Sequence, residues 1–167
     1  MPSTLPVPIE FVLPDGWRPA APDKVEELDV AFVALHPEGD ASFTPNITID
    51  GEYRPDTASL AAIADESVER MHHFAETVTV TARKEVGSGR APGLMQELAF
   101  SAAPGGVRCD LVQTQVYLSM LDTEDERKRV VVRLALTATV HQYAPLSADF
   151  QDLVRTVRPD TPAASPS

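Results

Sequence analysis

One cysteine, few aromatics and a deficit of basic residues constrain this 167-residue chain before any motif is sought. Cys109 has no second cysteine to pair with, so no internal disulfide can form. Aromatics are only 6% of the chain, which leaves Val, Leu, Ile and Ala to fill most of a core. Lys and Arg number 14 against 25 Asp and Glu, for a net charge of −11. A field of that sign repels phosphate, so neither nucleic acid nor anionic lipid is expected as a partner. No stretch approaches the ~18 apolar residues of a membrane span. Met1 to Pro8 has neither the basic region nor the apolar run of a signal peptide. The expectation is a soluble, cytoplasmic protein.

What is present suits one globular domain: 43% hydrophobic and 23% charged residues allow a sizeable core. A short apolar strand is predicted over Val7 to Leu13, closed by the turn Pro14-Asp15-Gly16-Trp17. In that turn Pro presets φ and Gly takes a positive φ. Arg18 to Leu28 reads as a Pro-rich loop. Asp29 to His36 is a continuous apolar run, and Thr44 to Tyr53 alternates, so both read as strands. Leu60, Ile63, Ala64, Ser67, Met71 and Phe74 recur on one helical face, predicting a helix over 57–76 capped by Asp56 or Thr57. Strands are then predicted over Thr77 to Val86, Leu94 to Ser101, Val107 to Met120 and Lys128 to Val140.

A second helix is predicted over 145–157. Pro145 would sit in its first turn, and Leu146, Phe150, Leu153, Val154 and Val157 form its stripe. Trp17 and Phe150 are the expected core anchors. Consecutive strands joined by short turns, with two amphipathic helices to cover them, imply an α+β fold. It should hold a single antiparallel sheet of about six or seven strands flanked by two main helices. Residues 1–6 read as a flexible N-terminus, 7–158 as the single domain, and 159–167 as a disordered Pro/Ser/Ala tail.

Catalytic signatures are missing. There is no G-x-x-x-x-G-K-[ST], no G-x-G-x-x-G and no G-x-S-x-G. His72 and His73, adjacent on a helix, point about 100° apart and cannot easily share a metal. Cys109 has no helix N-terminus or nearby His to activate it. The run Asp122-Thr123-Glu124-Asp125-Glu126 lacks the spacing and the glycine of a calcium loop. No catalytic residue, metal or cofactor is therefore assigned, and a non-enzymatic role is expected.

One sheet face is less ordinary. Alternation puts Val112, Thr114, Val116 and Leu118 on one side of their strand and Gln113, Gln115 and Tyr117 on the other. In the last strand Val130, Val132, Leu134 and Leu136 oppose Arg129, Arg133, Thr137 and Thr139. The polar set is poor in Lys and Glu and carries Tyr and Arg, the residue types in which interface energy concentrates. Gln113, Gln115, Tyr117 and Arg133 are the candidate partner-binding face, expected to be at least partly accessible. The other outcome is that a helix covers them as satisfied core polar residues.

Several segments resemble a known pattern. Ile9-Glu10-Phe11-Val12-Leu13-Pro14-Asp15-Gly16-Trp17 is similar to the opening strand and Leu-Pro-x-Gly-Trp turn of LpqN/LpqT-type actinobacterial proteins, which belong to the PsbP-like superfamily. Asn46-Ile47-Thr48-Ile49, Gln113-Thr114-Gln115-Val116-Tyr117-Leu118 and Phe150-Gln151-Asp152-Leu153-Val154-Arg155-Thr156-Val157 resemble its strand before the first helix, its central strand and its closing helix. The resemblance spans roughly residues 7 to 158. It implies an antiparallel sheet flanked by helices and a mostly non-catalytic role. That superfamily includes a photosystem subunit, a Ran-binding import factor and Eag-type chaperones that shield effectors before secretion. High usage of Ala, Asp, Pro and Arg over Lys suggests a GC-rich bacterial genome such as that of an actinobacterium. The expected role is a cytoplasmic adaptor or chaperone that binds another protein, a secretion substrate being one candidate. An immunity-type protein that neutralises a toxin, and a small-ligand binder or hydrolase using the sheet concavity, are the alternative readings.

Overall fold

The structure, a computed structural model, describes residues 9–20, 32–36, 43–54, 58–73, 75, 77–87, 92–102, 108–121 and 129–159. Its elements in chain order are β1 (Ile9–Glu10), β2 (Arg18–Ala20), β3 (Phe32–Leu35), β4 (Asn46–Tyr53), α1 (Leu60–Met71), β5 (Val78–Gly87), β6 (Pro92–Ala102), β7 (Cys109–Leu121), β8 (Arg129–Thr139), α2 (Val140–Thr156) and β9 (Arg158–Pro159). Seven strands form one sheet in the order β2-β3-β4-β8-β7-β6-β5, and every neighbouring pair is antiparallel. This is the α+β architecture expected from the alternation. The candidate face sits on β7 and β8, near the middle of the sheet.

The period-2 pattern decides which helix each face receives. Ile47, Ile49, Val116, Leu118, Val130, Val132, Leu134 and Leu136 point to one side and pack with Leu146, Phe150 and Leu153 of α2. Trp17 joins that cluster, with its indole N–H donating to Asp149 Oδ2 at 3.1 Å. Burial of each such aliphatic or aromatic side chain is worth about 1.5–3 kcal/mol before conformational entropy is counted. The opposite face receives α1 through Ile63, Ala64, Ser67 and Met71.

Several boundaries differ from expectation. α2 begins at Val140, directly after β8. Thr139 accepts from the Gln142 backbone N–H at 3.2 Å, while Gln142 Oε1 accepts from the Thr139 N–H at 2.9 Å. This capping box satisfies donors that the first turn would otherwise orphan. Pro145 therefore lies inside the helix, on an exposed side where water can serve the carbonyl that loses its donor. α1 is capped by Ser59, whose Oγ accepts from the Ala62 N–H at 3.1 Å. It ends at Met71, where the His72 N–H is shared between the Val68 and Glu69 carbonyls and His73 donates to Arg70, three residues back, in a tighter turn. The expected caps Asp56 and Thr57, and Phe74, lie outside the described residues.

The turn at Pro14 forms as read. Trp17 N–H donates to the Pro14 carbonyl at 3.3 Å, and Gly16 takes φ 92°. Arg18–Ala20, read as loop, instead pairs with β3 as a sheet edge. Edges are where Pro19 is tolerated, because no ladder bond is lost there. β1 pairs with β9 in a separate two-stranded sheet, with Ile9 opposite Pro159 and Glu10 opposite Arg158. Residues 1–6 and 160–167, expected to be flexible or disordered, lie outside the described residues.

Candidate functional site

Cross-strand register brings the candidate residues together. Tyr117 stands directly opposite Arg133, Gln115 opposite Ala135, and Gln113 opposite Thr137. Gln96 on β6 stands opposite Gln115, and Arg83 on β5 opposite Gln96. These side chains share the α1 face, and a directional chain of hydrogen bonds crosses it. Arg83 donates to Gln96 Oε1 from Nε at 3.2 Å and from Nη2 at 2.7 Å. Gln96 Nε2 donates to Gln115 Oε1 at 2.7 Å and to the Ala64 carbonyl at 3.2 Å. Gln115 Nε2 donates to Gln113 Oε1 at 2.6 Å, and Gln113 Nε2 to Thr137 Oγ1 at 2.8 Å. Arg83 has only donors, so it sets the orientation of the first amide. Each amide then sets the next.

Accessibility is where the expectation fails. Gln115 is 2% exposed and Tyr117 1% exposed, because α1 lies over them. Only Gln113 and Arg133 remain half-buried, the Arg133 side chain being 28% exposed. The helix can come this close because its inner face carries Ala64 and Ser67 rather than large side chains. The Tyr117 hydroxyl donates to Gln115 Oε1 at 2.8 Å and is also bonded to the Ser67 hydroxyl. Among the described residues, no buried side-chain nitrogen or oxygen lacks a partner. Gln115 and Tyr117 are thus satisfied core polar residues that a partner cannot reach while α1 stays docked.

Beside α1 the same face opens into a cavity of about 160 Å³. Tyr117, Ile63 and Val131 form its inner wall, and Asp50, Glu52, Arg70 and Arg133 bring charge to it. Asp50 and Arg133 are cross-strand neighbours, with Oδ2 and Nη2 3.8 Å apart. Arg70 Nη2 donates to Ser67 Oγ at 3.1 Å. Burial pushes the Tyr117 phenol above its ordinary range. The Ser67 hydrogen bond and the charges of Arg133 and Arg70 oppose that rise. Arg54 holds Glu52 of the rim, donating to its Oε1 at 3.1 Å and to Glu66 Oε1 and Oε2 at 2.8 and 2.9 Å. Asp50, Arg70 and Gln96 were not among the sequence-derived candidates. Asp50 and Gln96 could have been found by alternation, since they fall on the polar side of β4 and β6.

The other candidate groups stay apart. Among the described residues, no three His, Cys, Asp or Glu side chains gather as a metal site would require. His72, His73 and His141 are exposed, and Cys109 is buried against Met71, Leu98, Phe100 and Leu111. The arrangement at the cavity offers fixed charge and hydrogen bonds.

No protein-family model and no curated protein matches the sequence. Solved structures do match. LpqN of Mycobacterium tuberculosis, a protein involved in cell envelope biogenesis, superposes with a TM-score of 0.65 at 12% identity, over 92% of this chain and 85% of that one. The Ran-binding protein Mog1p of Saccharomyces cerevisiae gives 0.55 at 15% identity, over 90% and 89%. Cyanobacterial PsbP from Synechocystis gives 0.54 at 11% identity, over 90% and 86%. At such identities the likeness is one of fold: this chain has the PsbP-like α+β fold that LpqN and cyanobacterial PsbP also carry.

Proposed function

We propose that this chain is a non-enzymatic protein-binding domain, acting as a cytoplasmic adaptor or chaperone, with its docking surface centred on Arg133 at the cavity beside α1. The observation that carries this reading is the contrast within one sheet face. Its neutral polar residues are buried and satisfied, while Arg133, Asp50 and Arg70 stand at an open rim on a rigid support. The rim charges project from strand and helix positions that the buried network fixes, so little backbone has to be ordered when a partner arrives. Similarity in fold to a Ran-binding protein supports a protein partner over a small substrate.

The test is recovery of a partner from the native host with wild type, Arg133→Ala and, as a control on the distant strand β5, Lys84→Ala. A partner recovered by wild type and Lys84→Ala, and at least tenfold less by folded Arg133→Ala, supports the reading. Equal recovery by all three moves the docking surface elsewhere. A partner that kills cells unless this chain is present would make the role one of immunity instead.

A further inference from the structure

We propose that the cavity beside α1 is a carboxylate-binding site that receives an Asp or Glu side chain of a partner protein, bridged between Arg70 and Arg133. The proposal deepens the docking reading above and rests on it for the identity of the ligand's carrier.

The donor and acceptor inventory points this way. A guanidinium carries several N–H donors. Among the described residues Arg70 uses one of its own, on Ser67 Oγ at 3.1 Å. Arg133 forms an ion pair with Asp50 at 3.8 Å, longer than a hydrogen bond, so its N–H donors are not consumed by it. The carboxylates around the cavity are better supplied. Glu52 accepts from Arg54 at 3.1 Å, and Asp50 Oδ1 accepts from the Gly51 N–H at 2.9 Å. The surplus is therefore in hydrogen-bond donors, and both guanidiniums line the cavity together with Tyr117 at its inner wall. An anion held there would meet both, in the charge-assisted geometry that makes arginine–carboxylate pairs strong.

Size selects among anions. A volume of about 160 Å³ corresponds to about five waters at ~30 Å³ each. That accommodates a carboxylate and one or two methylenes, as a branch from a chain passing over the opening. A terminal residue would bring its own side chain and amide, and a phosphodiester its sugars, into the same space.

The test is a titration of the full-length protein, labelled with ¹⁵N, followed through the arginine Nε–Hε resonances. Assignments come from Arg70→Lys and Arg133→Lys. The probes are N-acetyl-glutamate α-amide, N-acetyl-alanine, inorganic phosphate and methylammonium, at matched low ionic strength. The expected result is saturable shifts of the Arg70 and Arg133 signals with the glutamate probe, at least tenfold weaker in each Lys variant. Glu52→Gln should tighten the response. Tighter binding of N-acetyl-alanine or phosphate would overturn the side-chain assignment. Saturation by methylammonium, or equal shifts at Arg83 and Arg155, would overturn the site itself. No partner enters the titration, so its failure sinks only the carboxylate site, and a failed pull-down sinks only the docking surface.

Discussion

Replacing Gln115 with Leu tests whether the amide chain under α1 acts as one unit. The two side chains are close in volume, so the change removes polarity with little loss of packing. Gln115 accepts from Gln96 Nε2 and from the Tyr117 hydroxyl, and donates to Gln113. With Leu in place, Tyr117 keeps Ser67, and half-buried Gln113 can turn to water. Gln96, with no exposed surface, keeps the Ala64 carbonyl but loses the acceptor for its second N–H. One orphaned buried donor costs about 1–3 kcal/mol, so Gln115→Leu should cost about 2 kcal/mol. That is a fall in melting temperature of about 4–8 °C for a domain of this size. Gln96→Leu should cost less, about 1 kcal/mol, because Gln115 Oε1 still accepts from the Tyr117 hydroxyl and its Nε2 still donates to Gln113. The double variant removes donor and acceptor together. Arg83, which loses Gln96, still has Asp65 at 2.9 Å and solvent. The double variant should therefore cost about 1 kcal/mol, less than Gln115→Leu alone and against a sum of about 3, a coupling of about 2 kcal/mol. Urea unfolding followed by far-UV circular dichroism measures all three, with unchanged m-values required. Additivity within about 0.5 kcal/mol would refute the reasoning, since independent sites behave that way.

Phe150→Ala should cost about 3–5 kcal/mol through lost burial and a cavity under α2, and an unchanged melting temperature would show that α2 is not packed on the sheet. Ser59→Ala should cost about 1 kcal/mol by removing the cap of α1, read from thermal unfolding. Burial raises the Tyr117 phenol above its unfolded value of about 10, so the unfolded chain releases that proton first. The stability it contributes is intact below pH ~10 and is lost as pH climbs through the folded value. Tyr117→Phe should flatten that alkaline loss without abolishing it, because burial raises Tyr143 as well.

Much of the fold could be read from local pattern. The alternation in β4, β7 and β8 places the same residues on the same faces as the observed register does. The Pro14–Trp17 turn formed because a positive φ at Gly16 has a local cause. What escaped was decided over long range or by competing local signals. β1 and β9 are two-residue strands from opposite ends of the chain, and neither has a pattern of its own. Arg18–Ala20 is a strand only because β3 offers it a ladder. At the start of α2 the signature was present, since Thr139 and Gln142 have capping-box spacing. It was hidden by the apolar β run that leads into Thr139, and by Pro145, whose habit of opening helices pointed later.

The candidate site shows the same division more sharply. Period 2 grouped Gln113, Gln115, Tyr117 and Arg133, but a face defined by alternation says nothing of what lies over it. A finer signal was available within the polar set. Burying an amide or a phenol costs little when its hydrogen bonds are replaced, whereas burying a charge costs far more. A helix that covers a polar face should therefore settle over its neutral residues and leave its charges at the edge. α1 does so. Gln96, Gln115 and Tyr117 lie beneath it, while Asp50, Glu52, Arg83 and Arg133 surround it with solvent access. Ser67 and Ala64, small and tolerant of a polar neighbour, sit within α1's buried stripe and mark it as the covering element. On this logic the accessible part of a polar sheet face is its charged perimeter, which is why Arg133, and not Tyr117, is the residue on which docking is tested.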